Sequence, residues 1–199
     1  KSNRSKNTVK GKDMKAEVAK KYARVTAVGL AQIAMFAALM VAGARISIPF
    51  FPVPLTFQTV FAVLAGLMLG AKKGVAAMLV YAFMGLVGLP VFSGGGGIFY
   101  VVKPSFGYII GFAFSALVGG LICGKGKPTA RRYLVASVAA MFVDYIIGIA
   151  YFIMVWQLTV GKGLGMAVVT YNLLYIPKDL VLCLFSGVLA KKTSAAIRR

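Results

Sequence analysis

Six apolar runs occupy most of the 199-residue chain, at residues 25–44, 55–70, 74–92, 105–123, 133–156 and 164–190. A helix that crosses a bilayer needs about 20 predominantly apolar residues, so these runs leave no stretch long enough for a sizeable soluble domain. The composition agrees, with 60% hydrophobic and only 14% charged residues, where soluble domains average about 45–50% and about 25%. The pattern predicts an all-α integral membrane protein of six transmembrane helices: a membrane domain over 25–190, a basic tail over 1–24 and a second basic tail over 191–199. The first run follows about 24 polar residues and exceeds the roughly 7–15-residue core of a signal peptide. It is therefore expected to be retained as a span.

The charges decide orientation. The net charge is +19, from 23 Lys and Arg against four Asp and Glu. If the N-terminus is cytoplasmic, the tail, Lys72, Lys73, the loop bearing Lys125, Lys127, Arg131 and Arg132, and the end bearing Lys191, Lys192, Arg198 and Arg199 all fall on one side. Arg45, Lys103 and Lys162 fall on the other, and Lys178 lies within the sixth run. Basic residues concentrate in cytoplasmic loops, so both termini are predicted to be cytoplasmic. The same distribution removes the case for nucleic-acid binding and places the N-terminal tail on anionic membrane lipid.

Rare residues exclude most chemistry. There is no His, and the acids are Asp13, Glu17, Asp144 and Asp179 alone. Metal sites and general acid–base catalysis draw chiefly on His, Cys, Asp and Glu, so neither an enzyme nor a metal site is expected. Cys123 and Cys183 lie inside apolar runs without CxxC spacing and are predicted to pack as small hydrophobes.

What remains marks candidate sites. Connections on the basic side are short, whereas those on the other side, residues 46–59 and 88–108, are rich in Gly, Pro and aromatics. Recognition is expected there, because loops carry binding residues. The second run, at about 1.5 Å per residue, spans only about 24 Å of the roughly 30 Å hydrocarbon core and should be shielded by neighbouring protein. The sixth run contains Pro177, Lys178 and Asp179. An interior proline breaks a helix, and broken helices are tolerated in membranes where they line a cavity. Pro177 suits the first turn of a C-terminal half-helix, which sets the Asp179 carboxylate at the positive end of its dipole.

Other polar positions have two readings each. Asp144 sits near the middle of the fifth run, where it can serve a ligand or act as a structural partner. Gln58, after Pro-x-Pro, needs a partner in ligand or loop backbone. Gly94, Gly95, Gly96 and Gly97 lack the Lys-and-hydroxyl continuation of a phosphate loop and form either a close approach to ligand or a connector. Tyr151, Phe152 and Trp156 belong by default to an interfacial aromatic belt, although Tyr151 is placed to face inward. Ala27, Ala31, Ala34, Ala38 and Ala42 recur at helical spacing, a small-residue face that permits close helix docking in a bilayer.

The strings PVPLTFQT (52–59), LAGLMLG (64–70), YAFMGLVGLPVFSGG (81–95), PSFGYIIGF (104–112), GIAYF (148–152) and IPKDL (176–180), taken in this order, resemble the BioY family. That family supplies the biotin-specific S component, or substrate-binding subunit, of energy-coupling-factor (ECF) transporters. The resemblance implies a six-helix ECF S-component fold in a bacterial-type cell membrane, biotin as transported ligand with no cofactor, and a partner module. That module comprises a transmembrane coupling subunit and two cytoplasmic ATPases, docked through the face of Ala27, Ala31, Ala34 and Ala38. Two positions depart from the pattern. Many BioY sequences carry Arg in the glycine-rich loop, which here has none, and Lys three residues after the aspartate of the sixth helix, where this chain has Leu182.

Biotin has a ureido ring with two N–H donors and one acceptor, an apolar bicycle and a carboxylate tail. The expected roles are polar recognition by Asp179 and Gln58, walls from Phe92 and Tyr151, and carboxylate binding by Lys178 or Lys103 with Ser93 and Gly94; the two ends of the ligand are interchangeable in this assignment. Arg45, Tyr81, Asp144 and Asn172 are further candidates. Thiamin or riboflavin as the vitamin, or a non-transporting scaffold, are the competing readings.

Overall fold

The computed structural model describes residues 26–48, 53–124 and 128–197. The basic tail over 1–24, Pro52 and the loop lysines Lys125 and Lys127 lie outside the described residues.

The chain forms two compact units divided after Gln32. In the first, the described residues are helical and begin helix α1 (Thr26–Arg45). The second carries the rest of α1 and the remaining elements: a two-stranded antiparallel hairpin, β1 (Ser47–Ile48) and β2 (Leu55–Thr56), then α2 (Gln58–Leu69), α3 (Ala71–Leu86), α4 (Phe106–Cys123), α5 (Ala130–Thr159), α6 (Leu164–Tyr171) and α7 (Ile176–Ile197). In the hairpin Ser47 pairs with Thr56 and Ile48 with Leu55. Among the described residues, four stretches are long and apolar enough to cross a membrane: Thr26–Arg45, Phe106–Cys123, Ala130–Thr159 and Leu164–Thr193.

The short α2 is sheathed in protein, with ten of its 12 residues buried. Gly66 allows this, because a Cβ there would stand 2.4 Å from the Ala116 carbonyl oxygen of α4. Removing one side chain lets two backbones approach closely, which drives helix association where hydrophobic transfer cannot.

Several boundaries differ from the sequence reading. α3 stops at Leu86, not at 92, because Gly88 takes φ +106° and Pro90 follows, a conformation and a residue that end helices. Phe92 therefore belongs to a loop. α5 begins at Ala130, where the Thr129 hydroxyl caps it by accepting from Arg132 N at 3.3 Å. The sixth run divides into α6 and α7, joined by a 3-10 turn over Leu173–Tyr175. α7 continues helical to Ile197, through most of what was expected as a tail. Cys123 and Cys183 are buried and not disulfide-bonded.

Candidate functional site

The break between α6 and α7 delivers two charges into the protein. Pro177 falls in the first turn of α7, where its missing N–H would have had no helical partner in any case, and Asp179 follows in that same turn. Lys178 Nζ lies 2.8 Å from Asp179 Oδ1, with 26% of the lysine side chain exposed but only 6% of the aspartate. Adjacent helical residues point apart, so this pairing was open on sequence grounds; the long lysine stem closes it. Tyr145 of α5 donates to Asp179 Oδ2 at 2.6 Å. Lys178 also donates to the Thr56 carbonyl at 2.8 Å, and the Tyr175 hydroxyl donates to the Val53 carbonyl at 3.2 Å. Residues 53–56, which lead into and form β2, are thus fastened to the α6–α7 break.

Facing this pair is an aromatic and amide wall. Gln58, the first residue of α2, donates through Nε2 to Tyr81 Oη at 2.5 Å, and Tyr81 donates onward to the Val91 carbonyl at 3.4 Å. Phe92 is fully buried, edge-on to Tyr81 with ring centroids 5.4 Å apart and tilted against Tyr100 at 4.6 Å. The glycine-rich segment is a tight turn: Phe92 and Gly95 exchange backbone hydrogen bonds of 2.9 and 3.1 Å, with Gly95 at φ +109°. Lys103 Nζ donates to the Gly94 carbonyl at 3.1 Å and lies 4.5 Å from the centroid of the Tyr100 ring.

Between these walls lies a cavity of about 550 Å³, including its open mouth. Small-molecule sites combine apolar walls with a few placed polar groups. Of the sequence candidates, Gln58, Tyr81, Phe92, Ser93, Lys178 and Asp179 line this cavity. Lys103 and Gly94 adjoin the lining residues Tyr100 and Ser93 without being part of the lining. Tyr151, expected as a wall, instead donates its hydroxyl to the Val101 carbonyl. Arg45 is exposed and donates to the Pro90 carbonyl. Asn172 is buried behind the lining and accepts from Tyr108 Oη at 2.6 Å. Asp144 is also behind it, hydrogen-bonded to Thr59 at 3.3 Å.

Sequence reasoning missed Thr59, Tyr100, Tyr108, Tyr145 and Tyr175, all of which line the cavity. A signal was present: a tyrosine inside an apolar span carries a hydroxyl that needs a partner when buried. Tyr145 directly follows Asp144 and Tyr175 precedes the Ile176–Pro177 pair. Among the described residues, no group of three or more Cys, Asp or Glu side chains is placed to hold a metal ion.

On the outer side of α1, Ala34, Ala38 and Ala42 are exposed, while Phe36, Ala37, Met40 and Ala44 face the core. Ala27 and Ala31 continue the same register into the first unit.

Three comparisons bear on this site. The model of the BioY family matches residues 14–199. The chain is 49% identical over 123 residues to a probable biotin transporter BioY of Lysinibacillus sphaericus, an alignment covering 61% of this chain and 63% of that protein, so just under two thirds of that relative is spanned. It is 33% identical over 170 residues to a biotin transporter BioY of Rhizobium etli, covering 79% of this chain and 88% of the relative. The fold is that of a solved S-component for biotin from an ECF-type ABC transporter, with a TM-score of 0.70 at 21% identity, over 86% of this chain and 93% of the other.

Proposed function

The chain belongs to the BioY family, and from that premise we propose that it is the biotin-binding S component of an ECF transporter, capturing the vitamin in the cavity between the α6–α7 break and the α2–α3 wall. The observation that carries the proposal is the lining itself. Asp179 and the tyrosine oxygens around it are acceptors for the ureido N–H groups, Phe92 and Tyr100 are apolar walls for the bicycle, and Lys178 is a half-buried cation with Lys103 near the Ser93–Gly94 turn.

With the ureido ring at Asp179, the carboxylate tail extends toward Ser93, where Lys103 supplies the charge that the missing loop arginine would otherwise provide. Lys178 neutralises Asp179 and stands in for the basic residue absent at Leu182. The role is capture and not catalysis. ATP hydrolysis falls to two cytoplasmic ATPases, reached through a transmembrane coupling subunit that docks on the exposed alanine face of α1. The chain sits in the cell membrane with both termini cytoplasmic, a reading that the distribution of its basic residues supports.

Binding of radiolabelled biotin to the purified chain tests this reading. Saturable binding that unlabelled biotin displaces, and thiamin and riboflavin do not, is expected. Displacement by either of the other vitamins, or no saturable binding by folded protein, refutes it.

A further inference from the structure

Among the described residues, Asp144 is a buried carboxyl group with one oxygen lacking a hydrogen-bond partner. It is 0% exposed, at the middle of the 30-residue α5. Its Oδ2 has one partner, Thr59 Oγ1 at 3.3 Å, and its Oδ1 has none. Oδ1 is pressed against α4, where a Cβ on Gly111 would lie 2.2 Å away. The titratable groups around it are Asp179 and Cys183 on α7, Tyr108 on α4 and Tyr145 beside it on α5, and none is a cation. Lys178 is already engaged by Asp179 and the Thr56 carbonyl.

An ionised carboxylate gathers several short, charge-assisted donors, and one hydroxyl at 3.3 Å beside a second anion does not meet that need. A neutral acid does fit. Its proton would have no acceptor on Oδ1, so it belongs on Oδ2, where Thr59 Oγ1 is the available acceptor. Thr59 must then send its own proton elsewhere. A threonine inside a helix donates to the carbonyl one turn back, but Thr59 is the second residue of α2, and the residues one turn back, Leu55 and Thr56, lie in β2. The remaining direction is the cavity, which Thr59 lines.

We infer that Asp144 is a positioning residue, a neutral buried acid that occupies the Thr59 oxygen and turns the Thr59 hydroxyl into a donor aimed at the bound ligand's ureido oxygen. The assignment rests on the biotin reading above. It completes the recognition of a ureido edge, on which a carbonyl acceptor lies between two N–H donors: Asp179 accepts from the donors, and Thr59 donates to the carbonyl.

The test uses the purified chain, with biotin and its analogue carrying sulfur in place of the ureido oxygen as probes. Infrared spectroscopy of the unliganded protein should show the carbonyl band of a protonated carboxyl that Asp144→Asn removes. Thr59→Val should weaken biotin about three- to tenfold, the range of one neutral hydrogen bond, and narrow the preference for oxygen over sulfur. Thr59→Ser should preserve both. Asp144→Leu should narrow the preference in the same way, and Asp144→Asn, whose amide N–H replaces the acid's donor, should restore it. A wild-type spectrum without that band, or a Thr59→Val variant with unchanged affinity and preference, overturns the inference. Wild-type protein that shows the band but binds no biotin overturns the biotin reading while leaving the neutral acid standing.

Discussion

Asp179→Asn and Lys178→Met, made separately, should split ligand binding from stability, and the split follows from how deeply each partner is buried. The Asn variant keeps size and an acceptor oxygen but loses the charge. A hydrogen bond to a charged group contributes about 1.5–3 kcal/mol against about 0.5–1.5 for a neutral one. With one or two ligand N–H groups on this carboxylate, biotin should bind about 10–100-fold more weakly, at about 1.4 kcal/mol per tenfold. The apo protein should hardly change, because Lys178 keeps the Thr56 carbonyl at 2.8 Å and its side chain is 26% exposed, so water takes up the lost contact. Lys178→Met does the reverse. It strands a carboxylate only 6% exposed with the Tyr145 hydroxyl as its remaining donor. At 2.8 Å and an effective dielectric of about 20 the pair attracts by about 6 kcal/mol before desolvation is charged against it. Breaking a buried pair costs about 3–5 kcal/mol, and water at the partly exposed ammonium brings this to about 2–3 kcal/mol. For a chain of this size that corresponds to about 5–10 °C in Tm. Thermal denaturation of both apo variants, with biotin titrations alongside, is the assay. An Asn variant that binds biotin within threefold of wild type removes Asp179 from the site, and a Met variant with unchanged Tm shows that the ion pair does not hold the loop to α7.

Gly85→Ala should abolish biotin binding while the helices persist, since its Cβ would lie 2.0 Å from the Phe92 ring that backs the cavity; circular dichroism with a binding assay separates the two effects. Gly66→Val should lower Tm by several degrees, because the new side chain meets the Ala116 backbone, which cannot rotate away, and such overpacking costs about 1–3 kcal/mol; an unchanged Tm would mean that α2 and α4 cross less closely than described. Ala38→Leu, on the exposed face of α1, should leave biotin binding by the isolated chain intact and abolish uptake in cells that supply the coupling module; uptake at the wild-type rate removes that face from the docking surface.

The architecture was legible because a bilayer restricts the alternatives so severely. Apolar run length, basic loops and the proline of the sixth run specified helices, their order and a break, as seen at α6 and α7. The α3 boundary was not, because 74–92 is apolar throughout and the bilayer gives no signal where apolar helix becomes apolar loop. Gly88 and Pro90 carried the information, and hydropathy outweighed them. That error matters for the site: as a loop residue and not a helical one, Phe92 can turn its ring between Tyr81 and Tyr100.

The site was legible only as far as charge is. Asp179 and Lys178 stood out because an ion in hydrocarbon demands a reason, and Gln58 stood out because an amide does. Tyr108, Tyr145 and Tyr175 did not, since an aromatic in an apolar run looks like core until its hydroxyl is seen to meet Asn172, Asp179 or the Val53 carbonyl. These bonds exist only after α4, α5 and α7 are brought together, and they fix the direction of these three tyrosine protons. Tyr81, Tyr108, Tyr145 and Tyr175 each give their proton to a protein acceptor, which leaves oxygen lone pairs as what these four hydroxyls can offer a ligand. A wall built that way accepts N–H donors and repels a carboxylate. On the biotin reading proposed above, the ureido ring belongs against it, and the carboxylate is left to the Ser93 side, where Lys103 adjoins the lining and donates to the Gly94 carbonyl.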